Sequence, residues 1–518
     1  MENKKRPLFK WIPCKALMFS GILFFLMVSP GMAFYVDIFG KPLQVMGYIN
    51  QGVQVGTAGD HYDTLDGVQA VLTQALLECY YEPSHNLRMF ASFNLDMDWM
   101  YKIRGDGTLK AKLLDKAEDK LFILDESHTL LKEFHFTYDV DNLVFRVGKQ
   151  IVSWGETDGV RIMDQINPLD GRRGLSDVQF ETTIIPIWLV KAEYFVPNPP
   201  SWMQSFGIEF VFNPNAEFIP SYSGSPANQI AGIQAFNVML GPGMRFGNAN
   251  SAPEPDTWDS DGWEHGIRLK SIIGDSIVTL NYFNGITNDP VGLVRGVGPA
   301  PAEFQADPDN LIMDAVLDAE YVDQQFVGMT LAHEFSSARV ASLGGIAPVL
   351  RMEAFYGIDS VYGTSGKVIT GTAADGFLQV QEAHDEVKLA FSLDWKIKVP
   401  LLNPDSGITV SPQFIWHHIL DYPSNYNLAQ SVFIFQENNY TTSLLLTTNY
   451  LHGKLTPMVF WMHNIYGDEK WDMLVASLTY DPDPVWSFKL AHTMVSGDMV
   501  GEFLGHKDNV TFTVNYRF

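Results

Sequence analysis

The chain has 518 residues, 46% of them hydrophobic and 13% aromatic, and a formal net charge of −25. So acidic a protein is a poor partner for nucleic acid or for an anionic membrane surface. Its apolar content is high, yet beyond Phe34 no apolar run approaches the ~20 residues of a spanning helix; the longest, such as Ile184–Val190 and Met458–Met462, are far shorter.

Lys4, Lys5, Arg6, Lys10 and Lys15 open the chain, an apolar stretch runs from Ala16 to Val28, Ser29-Pro30-Gly31 breaks it, and Gly31-Met32-Ala33 offers small residues. This is the layout of a secretory signal peptide, residues 1–33, cut before Phe34 and leaving 34–518 as a single domain. It is too short, and too closely followed by Pro30, to read as a membrane anchor. Cys14 leaves with it, so Cys79 stands alone and no internal disulfide forms. A lone thiol of this kind is expected to be a buried or lipid-facing small residue. The first strand follows closely, leaving no room for a large amino-terminal plug, so any constriction must come from loops.

From there the apolar residues recur at period two. Leu87, Met89, Ala91, Phe93, Leu95, Met97 and Trp99 share one face; Arg88, Ser92, Asn94, Asp96 and Asp98 share the other. About eighteen such segments are predicted, near 43–55, 71–81, 87–99, 129–139, 142–151, 184–196, 205–213, 263–271, 276–284, 325–335, 348–357, 387–396, 409–418, 440–450, 455–465, 472–480, 485–495 and 510–518. Residues 71–81 also suit a short helix. The final segment alternates without a break, with Val510, Phe512, Val514, Tyr516 and Phe518 on one face, and stops on an aromatic residue. A closing outer-membrane strand accounts for that ending, and a half-buried strand of a soluble sheet is the plainer alternative.

The links between segments alternate in length. Pro83-Ser84-His85-Asn86, Asp141-Asn142, Gly274-Asp275, Gly453-Lys454 and Asp481-Pro482-Asp483-Pro484 are turn chemistry. Between them lie long links near 56–70, 102–128, 152–183, 214–262, 285–324, 358–385, 419–438 and 496–508; Gly467-Asp468-Glu469 is the one short link where a long one is due. Short turns at one end and long loops at the other are the plan of a bacterial transmembrane barrel. The prediction is therefore an all-β fold, an antiparallel transmembrane β-barrel of sixteen to eighteen strands, with short periplasmic turns and long extracellular loops folded inward. A soluble propeller or solenoid would repeat every ~20–50 residues, and no repeat is visible. Trp99, Tyr101, Trp395, Trp416, Trp461, Trp486 and Tyr516 near strand ends fit interfacial girdles, although aromatics favour any strand.

The segment Val144–Leu175 is the richest in chemistry. It holds Arg146, Gly148, Lys149 and Gln150, then Trp154, Gly155 and Glu156, then Asn167, Pro168 and Asp170. In this pattern of Arg-x-Gly-Lys-Gln, Trp-Gly-Glu and Asn-Pro-x-Asp the chain resembles a proteobacterial outer-membrane family catalogued as domain of unknown function 1302, although many members have Arg where Lys149 stands. Glu133 and the pair Arg351-x-Glu353 also resemble family positions. The resemblance implies an outer-membrane barrel moving hydrophobic or amphiphilic compounds, and brings no catalytic residue.

Leu143, Phe145 and Val147 should face outward and Arg146 the lumen, after which the chain enters the third long loop. Glu156, Asp158, Asp164 and Asp170 are expected to pair there with Arg161, Arg172, Arg173 and Arg146, since paired charges survive burial. The loop then either narrows the pore, with Arg146, Lys149, Trp154, Glu156, Asp164, Asn167, Asp170, Arg172 and Arg173 at the constriction, or buttresses the wall. Further lumen candidates are Arg88, Asp96, Glu133, Arg351 and Glu353; a water-filled channel or cross-strand charge ladders explain them equally.

Ile230, Ile233 and Phe236 within Gln229–Leu240 recur at helix-like spacing and suggest a short lid helix. Asp259, Asp261 and Glu264 around Gly262 hint at Ca²⁺ without the full loop pattern. His417 and His418 are adjacent on a strand and face opposite ways, a poor metal pair. No Gly-x-Ser-x-Gly, zinc-protease or phosphate-loop pattern occurs, so neither cofactor nor enzymatic role is expected. The expected function is an outer-membrane channel for a small solute. The alternatives are a sheath around a partner protein and an outer-membrane enzyme. Expected partners are outer-membrane lipid and lipopolysaccharide, the barrel assembly machinery, and a periplasmic or inner-membrane transport partner.

Overall fold

The computed structural model describes residues 34–57, 67–99, 130–157, 160–169, 183–216, 218, 239–241, 244–250, 258–288, 290–300, 313–367, 378–430, 433–498, 505 and 508–518. The predicted signal segment therefore lies outside the described residues. Eighteen strands make one antiparallel sheet: β1 (Lys41–Gly56), β2 (Gly67–Ser84), β3 (Leu87–Asp98), β4 (Leu131–Val140), β5 (Leu143–Gln150), β6 (Ile187–Phe195), β7 (Ser205–Asn215), β8 (Glu264–Ile273), β9 (Ser276–Ile286), β10 (Asp323–Glu334), β11 (Val349–Ser365), β12 (Gln381–Ile397), β13 (Ile408–Ile419), β14 (Asn438–Thr447), β15 (Leu455–Tyr466), β16 (Glu469–Tyr480), β17 (Trp486–Gly497) and β18 (Asn509–Arg517). Each pairs with the next, and β18 returns to β1, from Gly56↔Asn509 to Tyr48↔Arg517.

Closure leaves no barrel strand with a free edge, which is what a sheet surrounded by hydrocarbon requires. All eighteen predicted segments are strands of this barrel, residues 71–81 included. An additional strand, Phe34–Ile38, folds back on Lys41–Val45 and occupies the part of β1 that β18 does not reach. Between the two, Gly47 and Phe518 exchange main-chain hydrogen bonds of 2.8 and 2.9 Å.

The side-chain alternation is that of a barrel in lipid. Phe136, Tyr138, Phe145, Val147, Phe210, Leu280, Val327, Phe414, Trp461, Leu490 and Phe512 are exposed on the outer face. An apolar belt this large is a liability in water and a requirement in a bilayer. Cys79 is a free, half-buried thiol on the parity of the outer face. No helix among the described residues is long and apolar enough to cross a membrane.

Two-residue turns at 85–86, 141–142 and 274–275 mark one end; the long links leave from the other. The exception is at 467–468, where Gly467 takes φ +65, a conformation that a side chain disfavours. The fourth and fifth long loops depart from the sequence reading. They contribute Met239–Gly241, Met244–Asn250, Val291–Pro299 and Met313–Glu320 to a second, four-stranded sheet. Met244–Asn250 and Met313–Glu320 run parallel within it, and a parallel pair carries no local turn signal. Of the predicted lid helix, Gln229–Leu240, only Met239 and Leu240 are described, and both are in strand; the rest lies outside the described residues.

Candidate functional site

The third long loop enters the barrel. Val152, Trp154, Ile162, Met163 and Ile166 are buried in one apolar cluster with wall residues of seven strands: Ile187 and Leu189 of β6, Val211 of β7, Phe283 of β9, Phe326 of β10, Phe355 of β11, Ala390 of β12 and Ile415 of β13. These wall residues stand on the inward parity, where polar groups are expected. Phe283, Phe326 and Phe355 stack across three adjacent strands with centroids 5.4 and 4.9 Å apart. Their apolar character is explained by what they touch, since the loop supplies a hydrocarbon face.

Two glycines shape the seat. A Cβ on Gly266 would fall 2.6 Å from Trp154 Cη2, and one on Gly328 2.4 Å from both Met163 Cε and Sδ. The wall is thinned where Trp154 and Met163 press against it. Trp154 is fully buried, and its indole N–H donates to Glu209 Oε1 at 2.7 Å. Lys191 Nζ, 3.2 Å away, balances that carboxylate.

The polar fastenings are mostly backbone-directed. Glu353 accepts main-chain N–H bonds from Glu156 and Thr157 on Oε1 and from Met163 on Oε2, the last two at 2.7 and 3.1 Å. Arg351 donates to the carbonyl of Glu156 at 2.6 Å and pairs with Asp394. Asp164 accepts from the N–H groups of Trp154 and Gly155 at 2.6 and 2.8 Å and from the Ser153 hydroxyl. Asn167 accepts from Val152 N–H at 2.8 Å and donates to the Gln150 and Ile185 carbonyls, tying the loop's two stems together. Arg268 reaches the Ser153 carbonyl, and Asn288 that of Gln165.

For Asp164, Glu156 and Arg146 this corrects the expected charge pairing. Asp164 binds main-chain and hydroxyl donors rather than an arginine, Glu156 is held by its carbonyl rather than its carboxylate, and Arg146 donates to Thr137 Oγ1 at 3.2 Å rather than to a loop acid. Arg161 donates to the Asn167 carbonyl. A loop lying against a wall exposes more peptide groups than side-chain charges, and those groups must be paired once buried. Asp158, Asp170, Arg172 and Arg173 lie outside the described residues.

Lys149 is buried at the end of β5. Arg88 pairs with Asp139 at 2.7 Å, Asp96 accepts from Asn94 at 2.7 Å, and the Glu133 N–H donates to Ser92 Oγ. Of the lumen candidates, Arg351 and Glu353 bind the loop itself. Phe512 faces outward, whereas Tyr516 is buried between Trp486 and Phe518. Glu264, raised as a Ca²⁺ ligand, accepts instead from Asn213 Nδ2 and the Ile286 N–H inside the barrel. His417 faces Glu386 inside at 2.7 Å, and His418 stacks on Trp416 outside. The residues that sequence reading missed are Phe283, Phe326, Phe355, Gly266 and Gly328. Large apolar side chains on an otherwise polar parity were their one visible signal.

A closed antiparallel barrel with an apolar belt defines a transmembrane β-barrel, here with its third long loop docked on the inner wall. The model of the family described as "Protein of unknown function (DUF1302)" matches residues 130–518, and the chain belongs to that family. No curated protein matches the sequence. Among solved structures, the chain is similar to Pseudomonas aeruginosa OpdK with vanillate, at 9% identity and a TM-score of 0.46 over 92% of this chain and 98% of that one. A BenF-like porin from Pseudomonas fluorescens Pf-5 gives 9% identity and 0.48 over 93% and 99%, and Acinetobacter baumannii OccAB3 gives 10% and 0.47 over 93% and 100%.

Proposed function

We propose that this protein is a channel of the Gram-negative outer membrane, passing a small solute through a lumen that its third loop narrows. One observation carries the reading: residues 152–157 and 160–166 are docked on the inner wall by the Glu353 carboxylate and an apolar seat, not stacked above the rim. A loop fixed there reduces the bore without touching the backbone ladder that keeps the wall closed. A sheath around a partner protein needs that bore free, so the loop counts against it. The chemistry required is selective passage, which needs no nucleophile or acid–base pair. A hydrophobic or amphiphilic solute is the class that the family resemblance implies. The acidic long loops would face lipopolysaccharide, the alternating last strand would be read by the assembly machinery, and a periplasmic partner would meet the short turns.

Planar-bilayer recording on the refolded full chain tests this. Discrete, steady conductance steps are expected, smaller than those of a variant in which residues 152–168 are replaced by a short Gly/Ser link. Silence from both proteins, with the folded barrel verified, would remove the channel reading.

A further inference from the structure

The inner wall is two different surfaces. On β6 to β12 it is charged and covered: Lys191–Glu209, Arg351–Asp394 and Lys388–Glu386 are ion pairs, and the third loop lies over this side. From β14 through β18 to β1 it is almost uncharged. Exposed Tyr440, Trp461, Leu478, Leu490 and Phe512 fix which parity faces outward on β14 to β18. Among the described residues of these six strands, Lys489 is the one charged side chain on the opposite parity between Glu469 at one rim and Arg517 at the other.

Register traces what stands there instead. One inward row runs Ser443–Met462–Met473–Val495, and the next Leu445–Phe460–Val475–Thr493–Asn509. Phe460, Met462 and Met473 are half-buried. The flanking polar groups are buried, and two of them, Asn464 Nδ2 and Thr493 Oγ1, have no hydrogen-bond partner among the described residues. A water-filled barrel presents a polar interior. This wall presents a strip of adaptable methionine and phenylalanine edged by amide and hydroxyl groups. An ion moving along it would exchange hydration for hydrocarbon at a cost of kilocalories.

We propose that this half of the wall is the solute path, and that it selects uncharged amphiphiles: a hydrocarbon body lying on Met462, Met473 and Phe460, with hydroxyl or carbonyl groups reaching Asn464 and Thr493. The assignment rests on the channel reading above and adds to it which wall is used and which charge state is admitted.

The test is block of the ionic current of the refolded full chain by three probes of equal chain length: hexanediol, hexanoate and hexylammonium. Hexanediol is expected to block at about tenfold lower concentration than either ion. Met473→Asp should abolish that preference and move the reversal potential toward cation selectivity, while the uncharged Met473→Gln keeps the preference. Should Met473→Asp not fold, the ranking of the three probes on the wild type and Met473→Gln still decides. Equal block by all three, or a Met473→Asp channel indistinguishable from wild type, overturns the wall assignment and leaves the channel reading standing. No current under any condition removes the channel reading and the assignment with it.

Discussion

Glu353 carries more of the third loop's docking than any other single side chain. One carboxylate, 2% exposed, serves three main-chain donors from two parts of the loop. Removing it strands those donors, and each buried, unpaired N–H costs ~1–3 kcal/mol. Glu353→Ala should therefore release the loop while the barrel stays closed: single-channel conductance and its noise rise, and heat-modifiable gel migration is retained. Unchanged conductance would mean that the apolar seat alone holds the loop. Gly266 offers the complementary probe, because the rigid Trp154 ring cannot yield as a flexible side chain would. Gly266→Ala should unseat Trp154 at a cost of ~1–3 kcal/mol, read as a red-shifted tryptophan emission and a lower unfolding temperature. Little at this scale was legible beforehand. The Trp-Gly-Glu and Asn-Pro residues mark the loop and Glu353 stood among the lumen candidates, but Glu209 and Gly266, which also seat the loop, lie far away in sequence, and nothing local announces them.

At the scale of elements, loop and strands do separate work. Every barrel strand is paired on both sides by its neighbours, none by the described residues 151–157 and 160–169. Replacing 152–168 by a short flexible link should leave the sheet content unchanged by circular dichroism, because closing a loop of different length costs little. It should also bare Phe283, Phe326 and Phe355 to the lumen, so the variant is expected to bind a hydrophobic fluorescent dye that the wild type binds weakly. Strands were readable because a half-lipid, half-lumen wall imposes strict alternation, as in Leu87–Asp98. The second sheet was not readable: its strands are short, rich in glycine, and paired across two different loops.

For the molecule as a whole, stability rests on a seam. β18 meets β1 over nine residue pairs, and Phe518 continues the match through Gly47. A chain lacking Phe518, or carrying Tyr516→Ala together with Phe518→Ala, should yield less folded barrel in the membrane, measured as the fraction migrating in the compact form before heating. Equal yields would indicate that the register of β18 is set by its interior residues alone. The terminal alternation Val510–Phe518 pointed to this closure in advance, since a strand so regular at the chain's end has one economical partner, the first. The separation of charge around the inner wall had no such signature, because it emerges only when strands distant in sequence stand side by side.

That seam has a temporal consequence. Its two halves are the first and last strands of the barrel, so a nascent chain carries two unsaturated flanks until β18 emerges. Any shorter intermediate is a ribbon with greasy and sticky margins, ready to join its siblings. The hoop therefore cannot shut before β18 is made.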